Sequence, residues 1–197
     1  MKQPTSDIFI HPNAIIDTDH IGQATRIWAY VHVLSGAIIG TNCNICDFVF
    51  IENDVILGNN VTVKSGVQLW DGIVIEDDVF IGPNVTFVND IYPRSKQYLE
   101  KFPRTVLRRG SSIGANSVLL AGIEIGKYAM IGAGAVVTKN VGNYQMFVGN
   151  PAKPKGLVCR CGTPVEFGGI QNLSYICSCG DQYMIKGVTM KSISDGS

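Results

Sequence analysis

A cation-rich segment is the first stretch of the chain with evident chemistry. From Arg94 to Arg109 there are six Lys or Arg residues and a single acid, Glu100, although the whole chain balances 16 cations against 16 acids. Guanidinium and ammonium groups bind phosphates through charge-assisted hydrogen bonds, so this segment could hold a pyrophosphate. The ring of Tyr92, just before it, could stack on a base or a sugar. A solvated charged loop, packed by its own aromatic rings, is the alternative interpretation.

Two cysteine pairs form a second group with possible chemistry. Cys159 and Cys161, and then Cys177 and Cys179, are separated by one residue, and each pair is followed by glycine. Four thiolates suit a structural zinc ion, which would stabilise so short a segment and leave no open position for catalysis. The usual ribbon knuckle has two residues between its cysteines, so free thiols and disulfides remain alternatives to zinc.

The composition limits the classes of function. Apolar residues make up 46% of the chain and charged residues 16%, which excludes a mainly disordered protein. The net charge of zero disfavours a nucleic-acid partner. No apolar run approaches the length of a membrane span, and the N-terminal residues lack the apolar stretch of a signal peptide. We therefore expect a cytoplasmic protein with no membrane partner and with mostly reduced thiols.

A period of six residues organises the elements that must position these groups. Large apolar residues occupy every sixth position from Phe9 to Phe87 and, in a new frame, from Leu107 to Val137. An α-helix drifts against this period, and a single strand would need a period of two. A coil with three flat sides of six residues fits, because the apolar position of each side then points inward. Stacked coils of this kind form a parallel β-helix.

Residues eighteen apart stack in such a coil, which turns the sequence into a map. One column at a corner is entirely polar: Asp17, Ser35, Asn53, Asp71 and Asn89. Polar corner residues are usually solvated turn residues. Asp71 and Asn89 differ because they flank the one long interruption of the repeat, residues 90–106. Long loops on a solenoid collect on its functional face, so we expect the site there, with Trp70 beside it.

Two stretches are more specific than the repeat. They are KSGVQLWDG at Lys64–Gly72 and IGPNVTFVNDIYPRS at Ile81–Ser95. Together with the shorter motifs RIW, CNIC, GAG and GNPA, they resemble the hexapeptide-repeat nucleotide-sugar 3-N-acetyltransferases, above all enzymes that act on dTDP-3-amino-3,6-dideoxyhexoses. The resemblance covers residues 9–156. It implies a left-handed β-helix, acetyl-CoA as co-substrate, and a homotrimer with sites between subunits.

The implied reaction moves the acetyl group of acetyl-CoA to the 3-amino group of the glucose or galactose form of the sugar, for surface polysaccharide or glycoprotein biosynthesis. In this resemblance Asn89 and Asp71 are the catalytic residues. The chain has three histidines, all in its first coils, so we expect direct attack by the amine without a histidine base. The residues expected to bind the sugar nucleotide are Trp70, Asp90, Tyr92 and Arg94.

Coenzyme A needs a slot for its pantetheine arm and cations for its phosphates. The glycine-rich corners around Ala115 and Ala133 would let a ligand approach the backbone closely. Lys139 and Lys153 could meet the phosphates. For each lysine alone, a solvated surface position is the simpler interpretation.

Two other functions stay open at this point. The substrate could be a UDP-linked 3-amino-glucuronic acid, whose carboxylate Arg94 could bind. Alternatively, the solenoid could bind a sugar or a partner without catalysis.

The sequence thus predicts an all-β protein in three parts. Residues 1–156 form the left-handed β-helix acyltransferase domain, with one long loop at about 90–106. Residues 157–186 form a small, cysteine-containing, zinc-ribbon-like β tail. Residues 187–197 form a flexible C-terminus.

Overall fold

The computed structural model describes residues 7–97, 99–165, 173–187 and 189–193. These residues form short strands joined by tight turns, and no α-helix occurs among them. The described part of the chain accordingly has no helix that is long and apolar enough to cross a membrane. The prediction of an all-β parallel solenoid is confirmed, because successive strands pair with the strands one coil away.

The solenoid has three faces, which we call faces A, B and C. Face A consists of ten strands: β1 (Phe9–Ile10), β3 (Arg26–Ile27), β6 (Asn44–Ile45), β9 (Thr62–Val63), β12 (Phe80–Ile81), β15 (Ser112–Ile113), β18 (Met130–Ile131), β20 (Gln145–Val148), β21 (Lys153–Val158) and β22 (Pro164–Val165). Face B has seven: β2 (Ile15–Ile16), β4 (His32–Val33), β7 (Phe50–Ile51), β10 (Gln68–Leu69), β13 (Thr86–Phe87), β16 (Val118–Leu119) and β19 (Val136–Val137). Face C has five: β5 (Ile38–Ile39), β8 (Ile56–Leu57), β11 (Ile73–Ile75), β14 (Thr105–Leu107) and β17 (Glu124–Ile125).

The core is a stack of aliphatic side chains along the axis of the solenoid. From Ile27 to Val137 the large residue of each six is buried. The residue four positions later is buried at the corner, except after Phe87, where the excursion begins. Val, Ile and Leu suit these positions because their side chains pack well on a pleated surface. The six-residue period is therefore the packing repeat of the core.

Asparagine stabilises one set of corners. Asn42, Asn60 and Asp78 lie at one corner and have positive φ angles of 55°, 58° and 61°, a conformation that asparagine and aspartate tolerate better than most residues. The amide of Asn42 donates to Oδ1 of Asn60 at 2.9 Å, and that of Asn60 donates to Oδ1 of Asp78 at 2.9 Å. These side chains tie neighbouring coils together along the corner.

The first coil departs from the predicted frame by one residue. Ile10 pairs with Ile27 and Ile16 with Val33, so the inward positions are Ile10 and Ile16. The prediction that Phe9 and Ile15 point inward is wrong, because they pair with Arg26 and His32, the residues just before the buried Ile27 and Val33. The corner that follows is one residue shorter than the corner stacked on it. Its buried Thr18 hydroxyl donates to the carbonyl oxygen of Ala37 at 2.8 Å, and Thr18, not Asp17, lies below Ser35.

The interruption of the repeat is an insertion between β13 and β14. Residues paired across it are thirty-two apart, as in Phe80 and Ser112, so fourteen residues are added to one eighteen-residue coil. The repeat resumes at Thr105, slightly earlier than the predicted end of the loop at 106. We call residues 90–104 the excursion.

The C-terminal part turns back on the solenoid. Strand β21 pairs antiparallel with β20, and β22 with β21, so face A continues beyond the parallel coils. A separate antiparallel sheet follows: β23 (Leu173–Ile176), β24 (Gln182–Lys186) and β25 (Thr189–Ser192). The predicted boundary after residue 156 falls within β21. Within the predicted flexible terminus, residues 188 and 194–197 lie outside the described residues. The division of the chain into three parts stays a prediction.

Candidate functional site

Asp71 and Asn89 occupy one corner on adjacent coils. They follow β10 and β13, whose pairing of Gln68 with Thr86 stacks the two positions at about one strand spacing, roughly 5 Å. Both side chains are half-buried. Two coils further along the same column lies Lys139, which is exposed. We call this edge between faces B and C the Asn89 corner.

Asp71 is held in place by the coil below it. Its Oδ1 accepts a hydrogen bond from the backbone N–H of Asp54 at 2.6 Å, and its own N–H donates to Oε2 of Glu52 at 2.7 Å. These contacts fix the orientation of the carboxylate. The arrangement can therefore present a negatively charged acceptor at a defined point beside the Asn89 side chain.

Aromatic rings line face B below this corner. Trp70 is half-buried and packs against the core, with its ring centroid 5.7 Å from that of Phe50. Phe50 in turn meets the edge of the His32 ring at 5.5 Å. His32 lies three coils below Thr86, with Nε2 at 3.4 Å from Oδ2 of Asp17. None of the three histidines of the chain lies on the coils of Asp71 and Asn89.

The excursion begins with the other predicted substrate residues. Oδ1 of Asp90 accepts a hydrogen bond from the N–H of Tyr92 at 2.8 Å, which forms a local turn. The Tyr92 side chain is 84% exposed, so a ligand can reach its ring. Arg94 is exposed and donates from Nη1 to the carbonyl oxygen of Pro93 at 2.8 Å. Asp90, Tyr92 and Arg94 thus lie on one short segment that leaves the corner directly after Asn89.

The excursion returns to the solenoid beside Asp71. A Cβ atom on Gly72 would lie 3.0 Å from the carbonyl oxygen of Pro103 and 3.3 Å from Cβ of Phe102, so a larger residue would push the returning chain away. Nη2 of Arg104 pairs with Oδ1 of Asp54 at 3.3 Å. Both ends of the excursion are therefore fixed at the Asn89 corner.

The cationic segment is less positive than its sequence indicates. Arg108 bridges Glu76 and Glu124, each at 2.8 Å, and Arg109 pairs with Asp78 at 2.9 Å. The hydrogen bonds to Glu124 and Glu76 raise the pKa of the Arg108 guanidinium, and the bond from Arg108 lowers the pKa of Glu124. Glu76 and Asp78 lie 32 and 31 positions before their arginine partners, and Glu124 lies 16 positions after Arg108. The charges within residues 94–109 alone therefore did not indicate these ion pairs. The exposed cations Arg94, Lys96 and Lys101 remain for a phosphate.

Ala115 and Ala133 lie at a different edge, between faces A and B, which we call the Ala133 corner. A Cβ atom on Gly82 would lie 2.7 Å from the backbone nitrogen of Ala115, which shows how closely the coils stack here. The N–H of Gly134 donates to the carbonyl oxygen of Ala115 at 2.8 Å. Lys153 lies on β21 opposite Val148, close to this corner, whereas Lys139 belongs to the Asn89 corner. The four predicted coenzyme A residues are thus divided between two corners of one chain.

Two residues at the candidate site, Glu52 and Asp54, were missed from the sequence, and Arg104 was predicted only as one cation of the cationic segment. The contact between Arg104 and Asp54 joins positions fifty apart, and no local motif signals it. The eighteen-residue map places Glu52 and Asp54 on the coil below Asp71. This placement is the signal in the sequence that could have identified them.

The four C-terminal cysteines come together as the sequence predicts for a metal site. Their sulfur atoms all lie within 4.8 Å of one another. The Sγ–Sγ distances are 3.6 Å between Cys159 and Cys179 and 3.7 Å between Cys161 and Cys177. This cluster lies in the C-terminal part, away from the Asn89 corner.

The chain is similar in sequence to known bacterial transferases. The model of the family described as bacterial transferase hexapeptide (six repeats) matches residues 20–53, 54–89 and 104–139. A curated relative from Aneurinibacillus thermoaerophilus, dTDP-3-amino-3,6-dideoxy-alpha-D-galactopyranose 3-N-acetyltransferase, is 57% identical over 183 residues, which cover 93% of this chain and 94% of the relative.

Two solved structures show the same fold. A hexapeptide-repeat acetyltransferase from Vibrio cholerae, in complex with acetyl coenzyme A, has a TM-score of 0.50 at 22% identity and covers 74% of this chain and 70% of its own. A variant of perosamine N-acetyltransferase from Caulobacter crescentus, in complex with CoA and GDP-perosamine, has a TM-score of 0.50 at 20% identity. The match covers 76% of this chain and 57% of that one.

These matches confirm the resemblance that the sequence motifs predict. The solenoid is the left-handed parallel β-helix that hexapeptide repeats build. The family model covers more than half of the chain, and the curated relative aligns with nearly all of it. The chain belongs to the bacterial transferase hexapeptide family.

Proposed function

We propose that this protein transfers the acetyl group of acetyl-CoA to the 3-amino group of a dTDP-3-amino-3,6-dideoxyhexose, with the galactose form as its first substrate. The observation that carries the proposal is the 57% identity, over 93% of the chain, to a relative named for this reaction. The geometry supports it, since the predicted catalytic and substrate-binding residues gather at the Asn89 corner and on the excursion that starts there.

The reaction needs alignment more than activation. The nitrogen lone pair attacks the thioester carbonyl carbon, a C–N bond forms, the C–S bond breaks, and coenzyme A leaves as a thiol after taking up a proton. A neutral amine is already a nucleophile, so holding it in line with the thioester accounts for much of the rate. Asp71 accepts a hydrogen bond from the amine N–H. A hydrogen bond with the Asn89 amide orients the amine further, so that its nitrogen lone pair points at the thioester carbon.

The proton released from the amine leaves through water in this mechanism. The fixed carboxylate of Asp71 stabilises the positive charge that develops on nitrogen during attack. His32 is the histidine nearest to this corner along face B, and it lies three coils below Thr86. Its ring pairs with Asp17 there. We therefore assign no histidine as base.

The nucleotide part of the substrate binds along the excursion. The exposed ring of Tyr92 offers a stacking surface, and Arg94 offers a bidentate contact to the pyrophosphate. Trp70 and Asp90 border the sugar next to Asp71 and Asn89. These groups order the substrate so that its 3-amino group, and not another polar group, faces the thioester.

Acetyl-CoA binds at the Ala133 corner of a neighbouring subunit in a homotrimer. The Ala133 corner and the Asn89 corner bound opposite ends of face B, roughly 15 Å or more apart for a side of about five extended residues. In a single chain a thioester at one corner would therefore lie away from an amine at the other. Packing one subunit's Ala133 corner against its neighbour's Asn89 corner joins the two half-sites, and Lys139 and Lys153 then flank one groove.

The test is acetyl-CoA turnover, followed by release of the coenzyme A thiol. The enzyme is offered the galactose and glucose forms of dTDP-3-amino-3,6-dideoxyhexose and, separately, UDP-linked 3-amino-glucuronic acid. We expect the highest kcat/KM with the galactose form. Turnover with the UDP sugar alone would replace the proposed substrate. An absence of turnover with all three sugars, combined with no coenzyme A binding, would leave a non-catalytic binding solenoid.

A further inference from the structure

The cysteine cluster is preorganised by two turns of matching shape. In the first, the N–H of Gly162 donates to the carbonyl oxygen of Cys159 at 2.8 Å, and in the second, the N–H of Gly180 donates to that of Cys177 at 2.9 Å. The two glycines have φ angles of 91° and 95°. Each Cys-X-Cys-Gly sequence therefore folds into the same hairpin turn, although the two lie on different sheets.

The turns face each other and bring all four sulfurs within 4.8 Å of one another. The cross-turn distances of 3.6 and 3.7 Å match the edge of a tetrahedron with metal–sulfur bonds of about 2.3 Å, which is about 3.75 Å. They exceed the S–S bond length of about 2.05 Å, and all four cysteines are free thiols. The single residue between the cysteines of each pair thus does not prevent tetrahedral geometry.

We propose that Cys159, Cys161, Cys177 and Cys179 bind one Zn²⁺ ion, which fastens the C-terminal sheet to the end of the solenoid. Four soft thiolate ligands this close together favour zinc among the common divalent ions. Binding replaces the four thiol protons, which are released to solvent. With four protein ligands the ion has no open position, so its function is structural.

The surroundings of the cluster show what the ion would join. Cys159 follows β21, which is part of face A, whereas Cys177 and Cys179 lie between β23 and β24 of the separate sheet. An ion pair between Arg160 and Asp181, at 2.6 Å, crosses between the two turns on the same side as the cluster.

Aromatic stacking continues this junction into the last coils. The Tyr183 ring packs edge-on against Tyr144 at 5.6 Å, and Tyr144 stacks on Tyr128 at 5.3 Å. The Tyr183 side chain is fully buried, and its hydroxyl lies 3.2 Å from Sγ of Cys159. The buried residues of this second apolar cluster are Tyr144, Leu157, Cys159, Val165, Cys177, Tyr183, Ile185 and Met190. Such a small cluster gains substantially from a metal cross-link.

The first experiment measures metal on the full-length protein, purified without a polyhistidine tag and passed through a chelating resin. We expect about one zinc per chain by elemental analysis. After exchange, Co²⁺ should give the absorption bands of tetrahedral sulfur coordination. Zinc content near zero, without such bands on Co²⁺ addition, would overturn the proposal, as would an intact mass lighter by the hydrogens of one or two disulfides.

Matched variants locate the site. Cys161→Ser alters an exposed ligand of the cluster, and Cys46→Ser makes the same change at a half-buried position in the solenoid. Cys161→Ser should lose most of the zinc and lower Tm by about 5–10 °C, while Cys46→Ser should keep both near the wild-type values. EDTA should lower the Tm of the wild type but not that of Cys161→Ser. Equal zinc content in the two variants would contradict the assignment, and if Cys161→Ser does not fold, the wild-type Co²⁺ spectrum decides.

Discussion

Asn89 carries the most specific prediction at the scale of a single residue. Its half-buried amide lies one coil above the anchored carboxylate of Asp71 and directly before the excursion. Asn89→Ala should lower kcat/KM by tenfold or more while leaving the fold unchanged, because a group that positions the nucleophile is lost. Steady-state kinetics and the far-UV circular dichroism spectrum of the variant measure the two parts of this prediction.

Asn53→Ala is the matched control for Asn89. It lies in the same corner column, two coils lower, and its Oδ1 accepts a hydrogen bond from the N–H of Gly36 at 3.2 Å. We expect kcat/KM within about twofold of wild type, since this asparagine only ties two coils together. Near-wild-type kinetics for Asn89→Ala, or equal losses for both variants, would remove Asn89 from the mechanism.

The histidine-free mechanism makes a second prediction at this scale. A triple variant, His11→Gln, His20→Gln and His32→Gln, should keep kcat within about threefold of wild type, with an unchanged pH profile. Loss of a general base would instead cost about 10²–10⁴-fold. A loss of that size in a variant with wild-type Tm would show that a histidine, contributed by this subunit or its neighbour, takes part in proton transfer.

How far single residues could be predicted depends on the range of the interaction. Asp71 and Asn89 were recognisable because a strict period places them in one column next to an interruption. Arg108 and Arg109 belong to the predicted cationic segment, but acids from neighbouring coils pair with both. Such pairings depend on the register across an insertion, and the sequence around residue 108 carries no sign of it.

At the scale of elements, the excursion depends on Gly72. This residue has a φ angle of 90°, and the chain returning through Phe102 and Pro103 lies against its Cα. Gly72→Ala should destabilise the protein by about 2–3 kcal/mol, from the left-handed backbone and the contact with Pro103 together. It should also raise KM for the sugar nucleotide more than KM for acetyl-CoA. Thermal unfolding and the two KM values provide the measurement.

Gly134→Ala isolates the backbone contribution in this comparison. Gly134 also has a positive φ angle, 69°, but a Cβ atom there would meet nothing within 4 Å. Its replacement should cost only about 1 kcal/mol. Equal shifts of Tm for the two variants would show that the approach of Phe102 and Pro103 to Gly72 contributes nothing to stability.

The strands and the core were largely predictable, because the six-residue period is itself the packing repeat. Every inward position predicted from Ile27 to Val137 is buried. The error at Phe9 and Ile15 has a physical cause. These residues lie at the open end of the solenoid, where a shortened corner shifts the frame by one residue. Because apolar residues are adjacent there, as in Ile15 and Ile16, either frame gives an apolar inward position.

At the scale of the whole molecule, the proposed active site joins the Asn89 corner of one subunit to the Ala133 corner of another. Asn89→Ala damages the substrate half of the site, and Ala133→Trp would fill the exposed corner proposed for acetyl-CoA. Each variant alone should lose most of its activity. Co-expression with two different affinity tags, followed by purification on both, yields mixed trimers.

Every mixed trimer should contain one intact site. In a ring of three subunits, a wild-type Asn89 corner then meets a wild-type Ala133 corner at one interface in three, so activity should recover to about a third of wild type. The control pairs Asn89→Ala with Asp71→Asn, which alter the same corner, and should not recover. Because a site contained within one subunit cannot be rescued by mixing, a mixed trimer no more active than its parents would exclude the shared site.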